Sequence, residues 1–507
     1  MFKWSLYLLL TGLFTAMLAW AYVLLFQDPA MTLPKLKPIP VAAGDQEIAW
    51  LHPATNAPVW ERFITGLRVK AEENPEWGLH IDESRAFPEQ TADVPMIALK
   101  RAKIQGTLWL RWYKITSQQD IDYWVKALFE RSPPPLVIVG GGSSDRARDL
   151  ACAMARESAS VADPPLLLIT TATANMVTNM TGSRVPLMQI YPGKTFRLCF
   201  SNAQMSEAIT DFIWQRADLR PMQGQVYLLS YLDDPYSRDL VDQFRKIFLF
   251  ETTSPSLKQH LQSSSNIWQE EIPYGVGPLL EPNRSEAEIV ERFVESAMQR
   301  ELGQSLLVLA ADPKPARRML RSIFRSAPSL AQHMVVTAGD TIDFDTIYRD
   351  RHFALPIQDL PCRLVLFCHQ NPILASVGFL EEQNAPPTAT QSSTSTQNAL
   401  LYGDLAALLI ENAHDNGRWV LSPGSLALSM QRAKDWLGRV RFDVQGDRLG
   451  GAGEYVVLLE PIRLSDRVYP KALLSVFERN EASDWRLVDR MEVYYGVKLL
   501  PLERSAP

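Results

Sequence analysis

Val137-Ile138-Val139-Gly140-Gly141-Gly142-Ser143-Ser144-Asp145 is a wholly apolar run that breaks into three glycines and then into residues suited to the first turn of a helix. With apolar Leu136 ahead of it and an amphipathic stretch over 147–155 behind it, this is the pattern of a buried strand feeding a helix. The glycines let the backbone take positive φ and approach a ligand closely, and free N–H groups at the helix start attract an anion such as a carboxylate. The same residues also read as a plain turn capped by Ser143, Ser144 or Asp145. The complete dinucleotide fingerprint and the Lys-Ser/Thr ending of a phosphate loop are both missing, which disfavours nucleotides.

The next apolar run, 166–169, leads into a second polar turn, Thr170-Thr171-Ala172-Thr173-Ala174-Asn175. Taken alone, a threonine-rich turn reads as local hydrogen bonding. In an open parallel sheet, however, ligands settle outside the carboxyl ends of adjacent strands, so these two turns are expected side by side. Working outward, strands are predicted at 48–51, 108–112, 226–231, 306–310 and 362–368. Helices are predicted at 58–73, 121–129, 208–214, 238–248, 287–300, 316–324 and 400–412. This alternation predicts parallel sheets covered by helices, and the grammar restarts after residue 200, giving a second α/β lobe. A chain of 507 residues has room for it, at about 150 residues per domain.

Residues 4–26 carry no charge, enough for a helix to cross a hydrocarbon core of about 30 Å. Residues 1–26 are therefore expected to be a transmembrane anchor or signal segment. Lys3 on the cytoplasmic side would place the rest outside the cytoplasm. Residues 27–45, with Pro29, Pro34, Pro38 and Pro40, read as an extended tether rather than a packed element, and 384–397, built of Asn, Ala, Pro, Thr, Gln and Ser, as a flexible loop. A net charge of −6 without a basic, aromatic-interleaved stripe argues against nucleic acid. Four scattered cysteines form neither a disulfide framework nor a zinc knuckle. No nucleophile elbow or metalloprotease motif occurs, and Asp340, Asp343 and Asp345 lack the glycine and terminal glutamate of a calcium loop.

Five segments, in order, resemble the type I periplasmic binding proteins, the leucine/isoleucine/valine-binding family of ABC transporter solute receptors. Residues 137–151 are similar to that family's strand, glycine turn and serine-opened helix, and 165–178 to its threonine segment. Thr195-Phe196-Arg197 followed by Ser201-Asn202-Ala203-Gln204 is similar to the strand entering the second lobe. Asp233-Asp234-Pro235-Tyr236-Ser237 is similar to an acidic-Tyr-Gly loop, with Ser237 in the glycine's place, and 438–448 to a late aromatic-Asp-x-x-Gly-Asp hairpin. The resemblance implies two doubly wound α/β lobes with a hinge, here preceded by one N-terminal transmembrane helix. The implied division is a first lobe over 46–195, a second over 196–358, return segments over 359–461 and a C-terminal extension over 462–507, the last adding a strand pair or a helix.

The resemblance also implies that Ser144 and Thr173 hold an amino-acid carboxylate. The full set of candidate ligand-binding residues is Ser143, Ser144, Thr171, Thr173, Tyr236 and Asp340, with Asp340 where a glutamate meets the ligand amine. No catalytic residue, metal or cofactor is expected. The sequence departs from the family at His52-Pro53-Ala54-Thr55-Asn56, where a serine-glycine ligand loop is usual, and at Ala310-Ala311-Asp312, where an aromatic is common. The expected partners are a small amino-acid-like molecule, a membrane and an ABC-type permease or sensor. A ligand-free, partner-binding ectodomain on the same fold is the rival reading, and a hydrolytic enzyme the third.

Overall fold

The computed structural model of the protein describes Met17 and residues 36–90, 93–222, 225–249, 267–273, 282–300, 303–341, 362–372, 396–420, 422–432, 440–450, 453–462, 471–480, 483–494 and 497–501. Strand Val137–Gly140 lies inside a seven-stranded sheet, between Gln46–Pro53 and Leu166–Ile169 and parallel to both. Successive side chains in a strand face opposite ways. Ile48, Trp50, Val137 and Val139 accordingly join one buried cluster with Trp60, Phe63 and Leu67 of helix Ala57–Glu73, while Ala49, Leu51 and Ile138 join another with Trp124, Leu128, Leu150 and Met154. Burial on both faces is why these strands read as unbroken apolar runs.

Two strands of this sheet escape the sequence pattern. Leu79–Asp82 and Met96–Arg101 form an antiparallel edge beside Leu108–Ile115. An edge strand packs on few neighbours, so Leu79–Asp82 stays partly exposed along its length and shows no apolar run.

The second sheet has nine strands. Trp268–Ile272, Val226–Tyr231, Ser305–Ala310, Met334–Thr337 and Arg363–Cys368 run parallel in that order, and Tyr455–Ile462, Lys471–Arg479, Trp485–Tyr494 and Val497–Pro501 extend it in antiparallel fashion. The stretch after residue 462 thus adds strands to the sheet. Helices Asn202–Gln215 and Pro235–Leu249 cover one face through Ile209, Phe212, Leu240 and Phe244. Arg284–Met298 and Pro313–Ser326 cover the other through Ile289, Phe293, Met319 and Leu320.

The chain crosses between the sheets at 198–201, after 368 and again after 440. These crossings are bonded to one another. Arg197, fully buried, donates from Nε to Asp447 Oδ1 at 2.6 Å, and Arg448 donates to the Leu198 carbonyl while its guanidinium stacks 4.0 Å over the Phe200 ring. The Phe200 N–H donates to His369 Nδ1 at 3.4 Å. Gly446, at φ +89°, passes so close to the first sheet that a Cβ would lie 2.0 Å from the Thr195 carbonyl oxygen.

Residues 36–45 correct one expectation. They contain neither helix nor strand, yet they are pinned rather than loose. The Ile39 carbonyl accepts from Arg111 and Arg131, each at 2.9 Å, and the Leu36 carbonyl from Gln119 Nε2 at 3.0 Å and the Tyr123 hydroxyl at 2.6 Å. The cause lies in Glu47, whose buried carboxylate is shared by both arginines and the Tyr113 hydroxyl. The arginines keep further N–H donors to satisfy, and proline-rich extended backbone offers free carbonyls. The expected membrane span, Met17 apart, and residues 384–395 of the expected loop lie outside the described residues, while 396 and 397 belong to helix Thr396–Asn412 rather than to a loop. No helix among the described residues is long and apolar enough to cross a membrane.

Replacing Glu47 by Leu would strand two arginines in the first lobe. We expect a loss of about 3–5 kcal/mol in urea unfolding, whereas breaking the exposed Arg68–Glu83 pair by Arg68→Ala should change stability by under about 1 kcal/mol.

Candidate functional site

Seven strand ends meet around a single cleft between the sheets. His52 follows Gln46–Pro53's core, Gly142 to Ser144 follow Val137–Gly140, Thr171 and Thr173 follow Leu166–Ile169, and from the second sheet come Asp233 and Asp234, Asp312, Asp340 and His369. All line one cavity of about 880 Å³, with Arg62, Asp145, Arg146, Tyr236 and Tyr402 among the others. This is where the carboxyl ends of parallel strands leave room for a ligand.

The first wall is built from the two polar turns. Gly141, at φ +73°, turns the chain into helix Ser144–Ser158, and a Cβ there would press 2.8 Å from that of Ala147. The turns are stitched together: Thr171 Oγ1 donates to the Gly142 carbonyl at 3.1 Å, and Ser144 Oγ accepts from the Ala174 N–H at 3.3 Å. Ser143 stands at the N-cap position but makes no side-chain cap bond, so the helix start keeps N–H groups for an incoming acceptor. The threonine turn is held from behind. Arg197 donates to the Thr173 and Ala174 carbonyls at 2.9 and 2.7 Å, and Asp239 of the second lobe accepts from the Asn175 and Met176 N–H groups at 2.7 and 3.0 Å.

Two uncharged side chains on this wall each hold a buried polar atom with no partner, Thr173 Oγ1 and His52 Nε2, each residue being only 1% exposed, and Arg62 Nε of the same cavity is likewise unpartnered. Burial, helped by the charge of Arg146, pushes the His52 imidazole down to about 3, so it faces the cleft uncharged at neutral pH.

The second wall is acidic. The Tyr236 hydroxyl is turned to the Ala338 carbonyl at 2.9 Å, and Asp340 Oδ2 pairs with His369 Nε2 at 3.0 Å. Since His369 Nδ1 accepts from Phe200, Nε2 carries the proton donated to Asp340. Ser237, standing where the family has glycine, accepts from the Tyr231 N–H at 2.7 Å and donates to the Ala310 carbonyl, joining two strand ends. Burial first, then the charge of Asp312, pushes Asp234 up to about 6, and burial and Asp145 raise Asp312 likewise.

All six candidate residues, Ser143, Ser144, Thr171, Thr173, Tyr236 and Asp340, thus face one cavity. Asp343 and Asp345 lie outside the described residues. Sequence reasoning missed Arg62, Arg146, Asp145, Asp234, Asp312 and His369. The strand-end rule that found the two turns also points to Asp312 and His369, each directly after a predicted strand.

No protein-family model and no curated protein matches the chain. Solved structures do. A leucine-, isoleucine-, valine-, threonine- and alanine-binding protein from Brucella ovis matches 89% of this chain and 94% of its own, with TM-score 0.52 at 11% identity. The branched-chain amino acid transporter substrate-binding protein LivJ from Streptococcus pneumoniae, in complex with isoleucine, gives 0.51 at 12%, over 89% of this chain and 99% of its own. A leucine-binding protein from Thermotoga maritima gives 0.50 at 12%, over the same shares. The chain has the two-lobe fold of the leucine/isoleucine/valine-binding solute receptors. Those structures carry the names of binding proteins rather than enzymes, and the fold places the cleft of this chain between its lobes.

Asp234 gives the cleft a pH signature. The folded protein holds this proton more tightly than the unfolded chain, so the stability it adds is complete below the ordinary carboxylate range and is lost as pH rises through about 6. In thermal melts, Asp234→Asn should therefore gain on the wild type as pH rises from about 4 to about 7; parallel pH profiles would show that Asp234 titrates normally.

Proposed function

We propose that this protein is an extracytoplasmic solute-binding protein that captures a small, amino-acid-like ligand between its lobes and makes no covalent bond to it. The observation that carries this reading is the pair of buried, unpartnered polar atoms, Thr173 Oγ1 and His52 Nε2, on a cavity wall that also holds the uncapped start of a helix. A buried polar group without a partner costs about 1–3 kcal/mol. A ligand carboxylate or amide would supply the missing partners. Ser144 takes part mainly by locking the two turns together, so its hydroxyl sets the wall's shape.

Closure follows from having contacts on both walls: a ligand that touches only one has no reason to favour the closed state. With residues 4–26 as a membrane anchor, the lobes would stand outside the cytoplasm and deliver the ligand to an ABC-type permease or report it to a sensor.

Thermal shift with the twenty amino acids and short amides tests the reading, since a ligand at 100 times its Kd adds about 2.7 kcal/mol. Thr173→Val should abolish the shift while keeping or raising the unliganded melting temperature, because it removes an unsatisfied hydroxyl. A protein that no small solute stabilises would instead be a ligand-free ectodomain. Removing residues 1–26 should move the protein from the membrane fraction to the soluble fraction, as read by fractionation and immunoblotting; no change would remove the anchor from the proposal.

A further inference from the structure

The cleft is electrically two-sided. Its first wall carries Arg62, Arg146, the helix start and the two unpartnered polar atoms, and Asp145 stands at its rim. Across from it lie Asp234, just before helix Pro235–Leu249, and Asp312, just before helix Pro313–Ser326. An aspartate ahead of a helix is ordinarily a cap. Asp234 Oδ1 does accept from the Tyr236 N–H at 3.1 Å, whereas the Asp312 side chain makes no cap bond. Asp145, Asp234 and Asp312 line one cavity, among the described residues no ion pair engages any of them, and the charges that push Asp234 and Asp312 up include Asp145 of the opposite lobe. Like charges are therefore brought together from both lobes, which opposes closure unless something positive enters.

We propose, resting on the solute-binding reading above, that the ligand carries a distal organic cation seated between Asp145 on one lobe and Asp234 and Asp312 on the other, the chemistry of a basic amino acid. The ligand's carboxylate end lies against the Ser144 and Thr173 wall and its cationic end bridges the lobes, so neutralising the repulsion and closing the cleft are one event. A metal ion is a poorer fit, because no three His, Cys, Asp or Glu side chains among the described residues converge closely enough to hold one. A guanidinium or ammonium on a flexible stem reaches separated carboxylates that a small ion does not. A cavity of about 880 Å³ leaves ample length for such a stem.

The test is calorimetric titration of the full-length protein with L-arginine, L-lysine, L-leucine, L-glutamate and putrescine, repeated on Asp312→Asn and Asp234→Asn. We expect L-arginine or L-lysine to bind on the order of tenfold or more tighter than L-leucine. Asp312→Asn should erase that preference, and should melt without ligand no lower than the wild type, because it removes a like charge rather than a cap. L-leucine or L-glutamate binding as tightly as the basic amino acids would overturn the distal cation while leaving a solute-binding protein. Putrescine matching L-lysine would overturn the amino-acid end in favour of a diamine. Binding of none of them, with no shift in the wider amino-acid and amide panel, would overturn this inference and the function it rests on together.

Discussion

The structure depends on one buried guanidinium. Arg197 leaves the last strand of the first sheet, pairs with Asp447 of the returning hairpin, and donates to the carbonyls of Thr173 and Ala174. An arginine removed from water must have its charge answered nearby. Meeting that demand draws three separate parts of the chain, the crossing strand, the threonine turn and the late hairpin, to one point between the lobes. This ion pair stands behind the wall that faces the cleft, and Asp239 braces the same turn from the second lobe by accepting two of its backbone N–H groups.

Such a hinge lets the remaining surfaces of the cleft stay electrostatically unresolved. Elsewhere in the interior the buried carboxylates are paired, Glu47 with Arg111 and Arg131 and Glu286 with Arg318. Inside the cleft the pattern reverses: a neutral histidine and a threonine hydroxyl lack partners on one side, and carboxylates crowd each other on the other. On the proposed reading, these are the groups that a guest would satisfy. A solved structure of this fold, the Streptococcus pneumoniae protein, is in complex with isoleucine.

Much of the fold was legible in the chain. Val226–Tyr231 and Leu166–Ile169 fall where continuous apolar runs put them, because strands buried on both faces leave no polar alternation to confuse the reading. Ser144 and Thr173 were placed together by the rule that ligand turns follow neighbouring parallel strands, and they do share a hydrogen-bonded wall. Leu79–Asp82 was missed because an edge strand buries too little to leave a pattern, whereas Met96–Arg101, inside the sheet with its first four residues buried, was missed although its apolar start Met96-Ile97-Ala98-Leu99 was there to read. The proline-rich stretch was read as unpacked because its docking uses backbone carbonyls, which every sequence has and none displays.

By itself, then, the order of apolar runs, glycines and helix-starting residues determined two α/β lobes and one wall of the cleft, since those features depend on neighbours along the chain and on a strand pairing that follows sequence order. Of the other wall the sequence offered only Tyr236 and Asp340, and tertiary structure decided its sign. Asp145 and Asp312 are separated by 166 intervening residues. Each reads as an ordinary residue at the head of a helix, and only the crossing of the lobes sets their charges face to face.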